Sequence, residues 1–279
     1  MSLSRRRMVG LAVATPLVGA CGADSRATPA APTMAQTPEP NELLVLAASS
    51  LSDAFPELAD ALPKQPGFAG SRIVMSFGAS SQLRVQLEQG ARADVFESAD
   101  APQMELAVRA NLMKGAPVVF ARNRLVAIVP RENRAGINTI ADLARSGVKV
   151  VSTARDVPIG AYTLQSLAKL AADPAYGAGF ETRVLANVVS EEPNVRQIVA
   201  KVQLGEADAG FVYASEISPR VAQDVRVLDI PERFQPQAEH LIGVTRAARA
   251  PALAQRFIDH LVSPMGQALL KRYGFLTLT

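Results

Sequence analysis

The sequence of 279 residues is poor in the side chains that build several common kinds of site. It contains one cysteine, two histidines and no tryptophan, and aromatic residues make up only 5% of the chain. A single cysteine cannot form an intramolecular disulfide, and His240 and His260 have no cysteine or second histidine nearby to complete a zinc site. The scarcity of aromatic side chains argues against a surface that stacks sugars or nucleobases.

The basic character of the chain lies entirely in its first residues. The formal net charge is +3, and residues 1–20 contribute Arg5, Arg6 and Arg7 without an acidic residue. The rest of the chain therefore holds 26 basic residues (29 minus 3) against 26 acidic ones. Because no polybasic segment remains that could bind a phosphate backbone, the sequence indicates no nucleic-acid partner.

Residues 1–20 have the pattern of a signal peptide. The three arginines precede an apolar run, Met8–Ala20, that is shorter than the roughly 20 residues a membrane span needs. The segment Leu17–Cys21 resembles the lipobox of bacterial lipoproteins, whose cysteine is lipidated; an ordinary signal peptide with an incidental cysteine is the alternative. We expect lipidation at Cys21, and export by either the general or the twin-arginine route, to the periplasm or the outer face of the cytoplasmic membrane.

Residues 21–41 are predicted to form a disordered or extended tether. Four prolines lie among alanine, threonine and serine, at Pro29, Pro32, Pro38 and Pro40, and large apolar side chains are few. Such a segment cannot bury enough apolar surface to offset the entropy lost on ordering. A processed pro-segment is the alternative interpretation.

From Leu43 onward, short apolar runs alternate with segments of helical periodicity. Strands are predicted at 43–47, 72–77, 94–97, 118–120, 125–129, 148–152, 209–213, 226–228 and 241–244. Helices are predicted at 51–62, 80–88, 101–110, 140–146, 161–171, 194–204, 251–262 and 264–273. This alternation is typical of an α/β fold with parallel sheets covered by helices on both faces.

Four junctions between a strand and a helix carry small or helix-capping residues. They contain Ser49-Ser50, Ser80-Ser81, Pro158-Ile159-Gly160 and Asn194-Val195. Each junction taken alone could be an ordinary helix N-cap. Together they place several helix N-termini, with unpaired N–H groups and partial positive charge, where a small anion could bind.

These junctions resemble those of the periplasmic molybdate-binding proteins of ABC importers. The resemblance covers nearly all of residues 43–278 and includes two further segments, Gly90–Asp100 and Lys271–Phe275. It implies a type II periplasmic binding protein fold in which two α/β lobes close on the ligand. Lobe I would comprise residues 42–123 plus 236–279, and lobe II residues 124–235.

The family resemblance also implies a ligand set. Ser50 and Ser80 would supply hydroxyl donors, Ile159 and Val195 backbone N–H donors, and Tyr213 a phenolic hydroxyl. The implied ligand is molybdate or tungstate, held as an oxyanion without a protein ligand to the metal and without a cofactor. The implied partners are the permease and ATPase of an ABC importer, and the binding protein is expected to be a monomer.

Two other functions were weighed against this one. An enzyme with a Ser-His-Asp triad would need a histidine near Ser50 or Ser80, and neither serine lies in a Gly-x-Ser-x-Gly elbow. A binding protein for sulfate or phosphate uses the same donor chemistry and stays an alternative. Arg196 could assist the anion, lie on a solvated helix face or pair between lobes, whereas Asp53 and Asp156 are interpreted as groups that cap helices or orient donors.

Replacing Cys21 with serine tests the lipid anchor. The Cys21→Ser variant should appear as soluble or unprocessed protein, because no other cysteine can accept the lipid. Wild-type protein should fractionate with membranes, held by more than one acyl chain since a single chain anchors only marginally. The measurement is fractionation with mass analysis of the mature N-terminus, and a wholly soluble, unlipidated wild-type protein would contradict the hypothesis.

Overall fold

A computed structural model of the protein describes residues 41–278. The predicted signal peptide, Cys21 and nearly all of the predicted tether lie outside this range. None of the described helices has both the length and the apolar character needed to cross a bilayer.

Ten strands and nine α-helices make up the described chain. The strands are β1 (Glu42–Ala48), β2 (Arg72–Gly78), β3 (Val95–Ser98), β4 (Val118–Asn123), β5 (Leu125–Pro130), β6 (Val150–Thr153), β7 (Val188–Glu192), β8 (Ala209–Tyr213), β9 (Val225–Asp229) and β10 (Ala238–Val244). The helices are α1 (Ala54–Ala61), α2 (Ser80–Glu88), α3 (Ala101–Arg109), α4 (Pro158–Ala171), α5 (Phe180–Ala186), α6 (Val195–Gln203), α7 (Val221–Asp224), α8 (Pro251–Val262) and α9 (Pro264–Arg272). Five short 3-10 helices complete the list, at Ser49–Leu51, Leu62–Lys64, Ile140–Ala144, Ala214–Glu216 and Glu232–Phe234.

The strands form two five-stranded sheets, each the centre of one lobe. The first has the order β2-β1-β3-β10-β4 and the second the order β7-β6-β8-β5-β9. We call the first sheet with α1–α3, α8 and α9 the first lobe, and the second sheet with α4–α7 the second lobe. The chain crosses between sheets at Arg124, between β4 and β5, and returns between β9 and β10.

Both sheets are mixed: in each, four strands run in one direction and one strand runs against them, so the sheets are mainly, but not wholly, parallel. Strand β1 runs parallel to β2 and β3, and β6 runs parallel to β7 and β8. Strand β10 is antiparallel to β3 and β4, and β5 is antiparallel to β8 and β9. The reversal has a topological reason: β5 and β10 enter their sheets from the other lobe instead of through a helical crossover within the same sheet.

The first sheet buries both faces. Along β1 the side chains alternate, so that Leu43, Val45 and Ala47 join one apolar cluster, beside α1, α8 and α9, while Leu46 joins another with residues of α2 and α3. In the second lobe, β5 is buried along Leu125–Val129, as expected of a central strand covered on both sides.

Several predicted elements differ from the structure at their ends or in type. The helix predicted at 51–62 is a 3-10 turn at Ser49–Leu51 followed by α1, and the helix predicted at 140–146 is a 3-10 helix. Helix α4 begins three residues earlier than predicted, because Pro158 fits the first helical position, where no N–H is needed. Helix α5 and strand β7 were not predicted; β7 is a short edge strand, Val-Val-Ser-Glu-Glu, without an apolar alternation.

A glycine in β8 sets the distance between the second sheet and α6. A Cβ added at Gly210 would lie 2.4 Å from Cγ2 of Ile198, a stiff side chain of α6, so the Gly210→Ala variant should lose about 1–3 kcal/mol of unfolding free energy through overpacking. The matched control is Gly243→Ala in β10, whose Cβ would meet the flexible end of Met113 at 2.8 Å and should cost less. Urea denaturation measures the unfolding free energy that each variant loses. Equal losses in the two variants would contradict the prediction.

Candidate functional site

The predicted junctions meet around one small cavity between the lobes. Its volume is about 20 Å³, far below the roughly 300–1,000 Å³ of pockets for drug-sized ligands. The residues that line it are Ala48, Ser49, Ser50, Gly78, Ala79, Ser80, Ala99, Val157, Pro158, Ile159, Asn194, Val195 and Tyr213. All five residues that the sequence analysis assigned to the ligand are among them.

Small apolar residues bring the two lobes into contact around this cavity. Ala48, Ala79 and Ala99 of the first lobe belong to the same apolar cluster as Ile159, Val195 and Tyr213 of the second. The described structure is therefore a closed arrangement, in which the cavity is surrounded by side chains of both lobes.

Ser50 carries a buried hydroxyl group that forms no hydrogen bond with any other described residue. It follows β1 in the 3-10 turn Ser49–Leu51 and is almost fully buried. Within residues 41–278 its Oγ has no hydrogen-bond partner. A buried hydroxyl without a partner costs about 1–3 kcal/mol, so its retention here points to a ligand.

Ser80 is oriented by the neighbouring strand. It is the first residue of α2, and its Oγ accepts a hydrogen bond from the N–H of Ala99, which follows β3, at 3.0 Å. Because this bond uses a lone pair of the oxygen, the hydroxyl proton stays available to donate.

The second lobe adds two helix N-termini. In α4 the N–H of Ile159 belongs to the first turn and has no partner within the helix. Gly160 allows this turn to lie close to β6, since a Cβ there would be 2.3 Å from the carbonyl oxygen of Ala154. A larger residue would push the N–H of Ile159 away from its place.

The side chain that caps the N-terminus of α6 does not pair with every N–H group of the first turn. The side chain of Asn194 accepts hydrogen bonds from the N–H groups of Arg196 and Gln197 at 3.0 and 3.3 Å. The N–H of Val195 lies between the cap and these two groups, in the first turn, where no intrahelical partner exists. The cap therefore fixes the helix end and leaves the N–H of Val195 for the cavity.

Tyr213 ends β8 and is a neutral donor. It is only 1% exposed, and its hydroxyl also lacks a partner in the part of the chain that is described. Burial, and then the proximity of Tyr162 and Asp100, raises the pKa of Tyr213 well above its ordinary value. The phenol therefore keeps its proton and can donate it to an acceptor.

Several polar residues behind the cavity were not found by sequence reasoning. The carboxylate of Glu97 accepts from the N–H of Ala48 at 2.7 Å and contacts His240 Nδ1 at 2.7 Å, with both side chains fully buried. Gln103 donates to the carbonyl oxygen of Asp156 across the lobes at 2.8 Å. These contacts carry no local sequence signal, because the partners are 49, 53 and 143 residues apart in the chain.

Neither Asp53 nor Asp156 caps a helix with its side chain, so only the other interpretation, a role in orienting donors, stays open for them. Asp53 makes no side-chain hydrogen bond to cap α1, so its interpretation as a cap is wrong, and it pairs with Arg196 instead, at 2.6 Å. Asp156 contributes its backbone carbonyl to the contact with Gln103. Asp100 does cap a helix, α3, and burial raises its pKa to about 6 against the hydrogen bonds from Gln103 and Ser98.

The arrangement suits binding of a small anion. Residues with hydroxyl groups and residues at helix N-termini meet at the cavity, and none of its lining residues within 41–278 is charged. No group of His, Cys, Asp or Glu within residues 41–278 is placed to hold a metal cation. His240 pairs with Glu97 and with neither serine, so the geometry offers no activated serine. Fold and site together define a two-lobed solute-binding protein.

Comparison with known proteins identifies the family. The chain belongs to the bacterial extracellular solute-binding protein family, whose model matches residues 43–276. It is 35% identical to the molybdate-binding protein ModA of Mycobacterium tuberculosis over 92% of this chain and 91% of the relative. It is 31% identical to ModA of Escherichia coli, over 84% and 88%. The structure of the periplasmic molybdate-binding protein of Azotobacter vinelandii shares the fold, with a TM-score of 0.73 at 23% identity over 85% of this chain and all of that one.

Family membership also decides two of the sequence-based expectations. The expected two-lobed α/β fold is confirmed. The family consists of solute-binding proteins, which confirms the expectation of a binding protein rather than an enzyme.

The cap of α6 can be tested without a ligand. The Asn194→Ala variant should lose about 1 kcal/mol of unfolding free energy, because two N–H groups lose their acceptor. The Asn194→Asp variant should keep the wild-type value within a few tenths of a kcal/mol, since aspartate caps as well as asparagine and its charge suits a helix N-terminus. Denaturation of the ligand-free proteins measures both, and a loss in Asn194→Asp equal to that in Asn194→Ala would contradict this role.

Proposed function

We propose that the protein is the extracytoplasmic binding component of an ABC importer and that it captures molybdate, with tungstate as a second ligand. The observation that carries the proposal is the pair of buried hydroxyls, Ser50 and Tyr213, without partners in the described chain around a cavity that charged side chains do not line. Ser80, Ile159 and Val195 complete the proposed ligand set. The names of the relatives in M. tuberculosis and E. coli support the choice of ion.

The physical basis is hydrogen bonding to a charged acceptor in a dry cavity. A dianion accepts short, charge-assisted hydrogen bonds, and each strengthens where water is excluded. Neutral donors also leave no unpaired charge in the cleft when the lobes are apart. The cavity size favours an ion of a few heavy atoms over an organic solute.

The proposal also covers the closure of the lobes on the anion and the attachment of the protein to the membrane. We assign residues 42–123 plus 236–279 and residues 124–235 to two lobes that close on the anion, with the N–H and hydroxyl donors of both lobes reaching it only in the closed state. Cys21 would be lipidated and residues 22–41 would tether the monomeric domain at the membrane, near the permease and ATPase that receive the ion. Sulfate and phosphate are the alternative ligands.

Titration of hydroxyl variants tests the ligand set. Ser50→Ala, Ser80→Ala and Tyr213→Phe should each weaken molybdate binding about ten- to a hundredfold, since a hydrogen bond to a charged group contributes roughly 1.5–3 kcal/mol. Ser81→Ala is the matched control, because Ser81 is buried beside Ser80 but does not line the cavity. Asn194→Asp should also weaken binding, by placing a negative charge at the cavity while the helix stays capped.

Calorimetry with molybdate, tungstate, sulfate and phosphate measures these affinities. Wild-type affinity in all three hydroxyl variants would place the site elsewhere. Tighter binding of sulfate or phosphate than of molybdate by the wild-type protein would replace the proposed ligand with the alternative.

A further inference from the structure

Arg196 reaches from the second lobe to the first, beside the cavity but outside its lining. The residue follows Val195 in the first turn of α6, and its guanidinium contacts residues of the first lobe. Its Nη2 lies 2.6 Å from Oδ2 of Asp53, and its Nε donates to Oγ of Ser52 at 2.9 Å. The carbonyl oxygen of Ser49 is 3.4 Å from the same Nε. The contacted segment of the first lobe, Ser49–Asp53, is the one that contains Ser50.

The same guanidinium also has a partner in its own lobe. Oε2 of Glu216 lies 3.1 Å from Nε of Arg196, and the Glu216 side chain is fully buried. Burial raises the pKa of Glu216 to about 7, and the charge of Arg196 opposes this rise. Burial also disfavours the charged form of Arg196, but Glu216 and Asp53 outweigh it, and the pKa of Arg196 is raised.

The three charged residues lie next to three proposed donors. Asp53 is three residues after Ser50, Arg196 is one residue after Val195, and Glu216 is three residues after Tyr213, in the 3-10 turn Ala214–Glu216. Contact among the three side chains therefore fixes the relative positions of the chain segments that hold those donors.

We propose that Arg196 is a positioning residue that holds the cleft closed through Asp53 and Ser52 without contacting the anion, while Glu216 keeps its guanidinium in place. The inference rests on the proposed function for the ligand. Glu216 and Arg196 belong to the same lobe, so their pairing survives when the lobes separate. The contacts with Asp53 and Ser52 exist only when the lobes are together.

The pairing also explains why an arginine so near the site leaves the cavity neutral. The carboxylate of Asp53 lies 2.6 Å from the guanidinium and the carboxyl group of Glu216 lies 3.1 Å away, so the charge of Arg196 is already compensated beside the cavity. A guanidinium free of these partners would be drawn to the dianion and would bind many anions, because its fork matches the oxygens of phosphate and carboxylate as well.

The test is the Asp53→Asn variant, which removes the interlobe charge and keeps the Arg196–Glu216 pair intact. It should release the anion roughly two- to fivefold faster than wild type, the range for a partly exposed ion pair, with an association rate within about twofold. The unfolding of the ligand-free protein should not change. Asp53→Glu should restore part of the slow release, which a merely structural role would not predict.

Stopped-flow tyrosine fluorescence of the mature protein gives both rates, because the chain has four tyrosines and no tryptophan, and two of the tyrosines, Tyr162 and Tyr213, lie in contact near the cavity. The concentration dependence of the observed rate yields association from its slope and dissociation from its intercept. The matched control is Glu42→Gln, which removes the same charge from an exposed ion pair with Arg72 within the first lobe and should leave both rates unchanged. Molybdate, tungstate and sulfate are the probes.

The outcomes separate the two proposals. If wild-type protein binds none of these anions, the proposed function fails, and this inference with it. If wild-type protein binds and Asp53→Asn releases at the wild-type rate, only the inference is overturned. If Asp53→Asn instead binds more tightly and accepts sulfate better, Arg196 contacts the anion and the positioning role is likewise overturned.

Discussion

A helix that begins directly after a strand exposes N–H groups that its own turns cannot satisfy, and this constraint organises the protein. Helices α2, α4 and α6, together with the 3-10 turn after β1, all begin at the cavity between the two lobes. Burying so many donors without acceptors would be costly, so the closed arrangement makes physical sense around an acceptor with several lone pairs. The mixed sheets contribute to this arrangement. Strands β5 and β10 follow the two crossings between lobes and run against the other strands, several of which end at the cleft.

Within residues 41–278, charged side chains do not line the cavity but form pairs close to it. Glu97 and His240 form a buried pair that supports the N–H of Ala48, just before the serine turn. Arg196 is held by one carboxylate from each lobe, and Gln103 bridges the lobes with a neutral side chain. These charged and polar side chains thereby fix the positions of the donors that face the cavity. The donors themselves stay neutral. Such preorganisation reduces the freedom that the protein loses when a ligand binds.

Gly160 and Gly210 show how the packing of the second lobe supports this arrangement. Gly160 lets the start of α4 lie against β6, and Gly210 lets α6 lie against β8. Both helices carry a residue that lines the cavity and is proposed to donate through its backbone N–H, Ile159 in α4 and Val195 in α6. Because the position of a backbone N–H depends on the path of the chain, these packing contacts matter to the site as much as any side chain that lines it.

Local patterns could be predicted from the sequence: strands and helices in alternation, capping residues at the junctions, and three arginines near the start of the sequence. These features depend on residues close together in the chain, and the family resemblance that the junctions carry assigned the five proposed site residues. The tertiary structure alone decided the antiparallel strands, the pairing of Asp53 with Arg196 rather than with α1, and the burial of Glu97, His240 and Glu216. Asp53 and Arg196 are 143 positions apart in the sequence, and Glu97 and His240 are likewise 143 apart. Their partners are set by how two lobes fold and close, and no spacing along the chain encodes a contact over that distance.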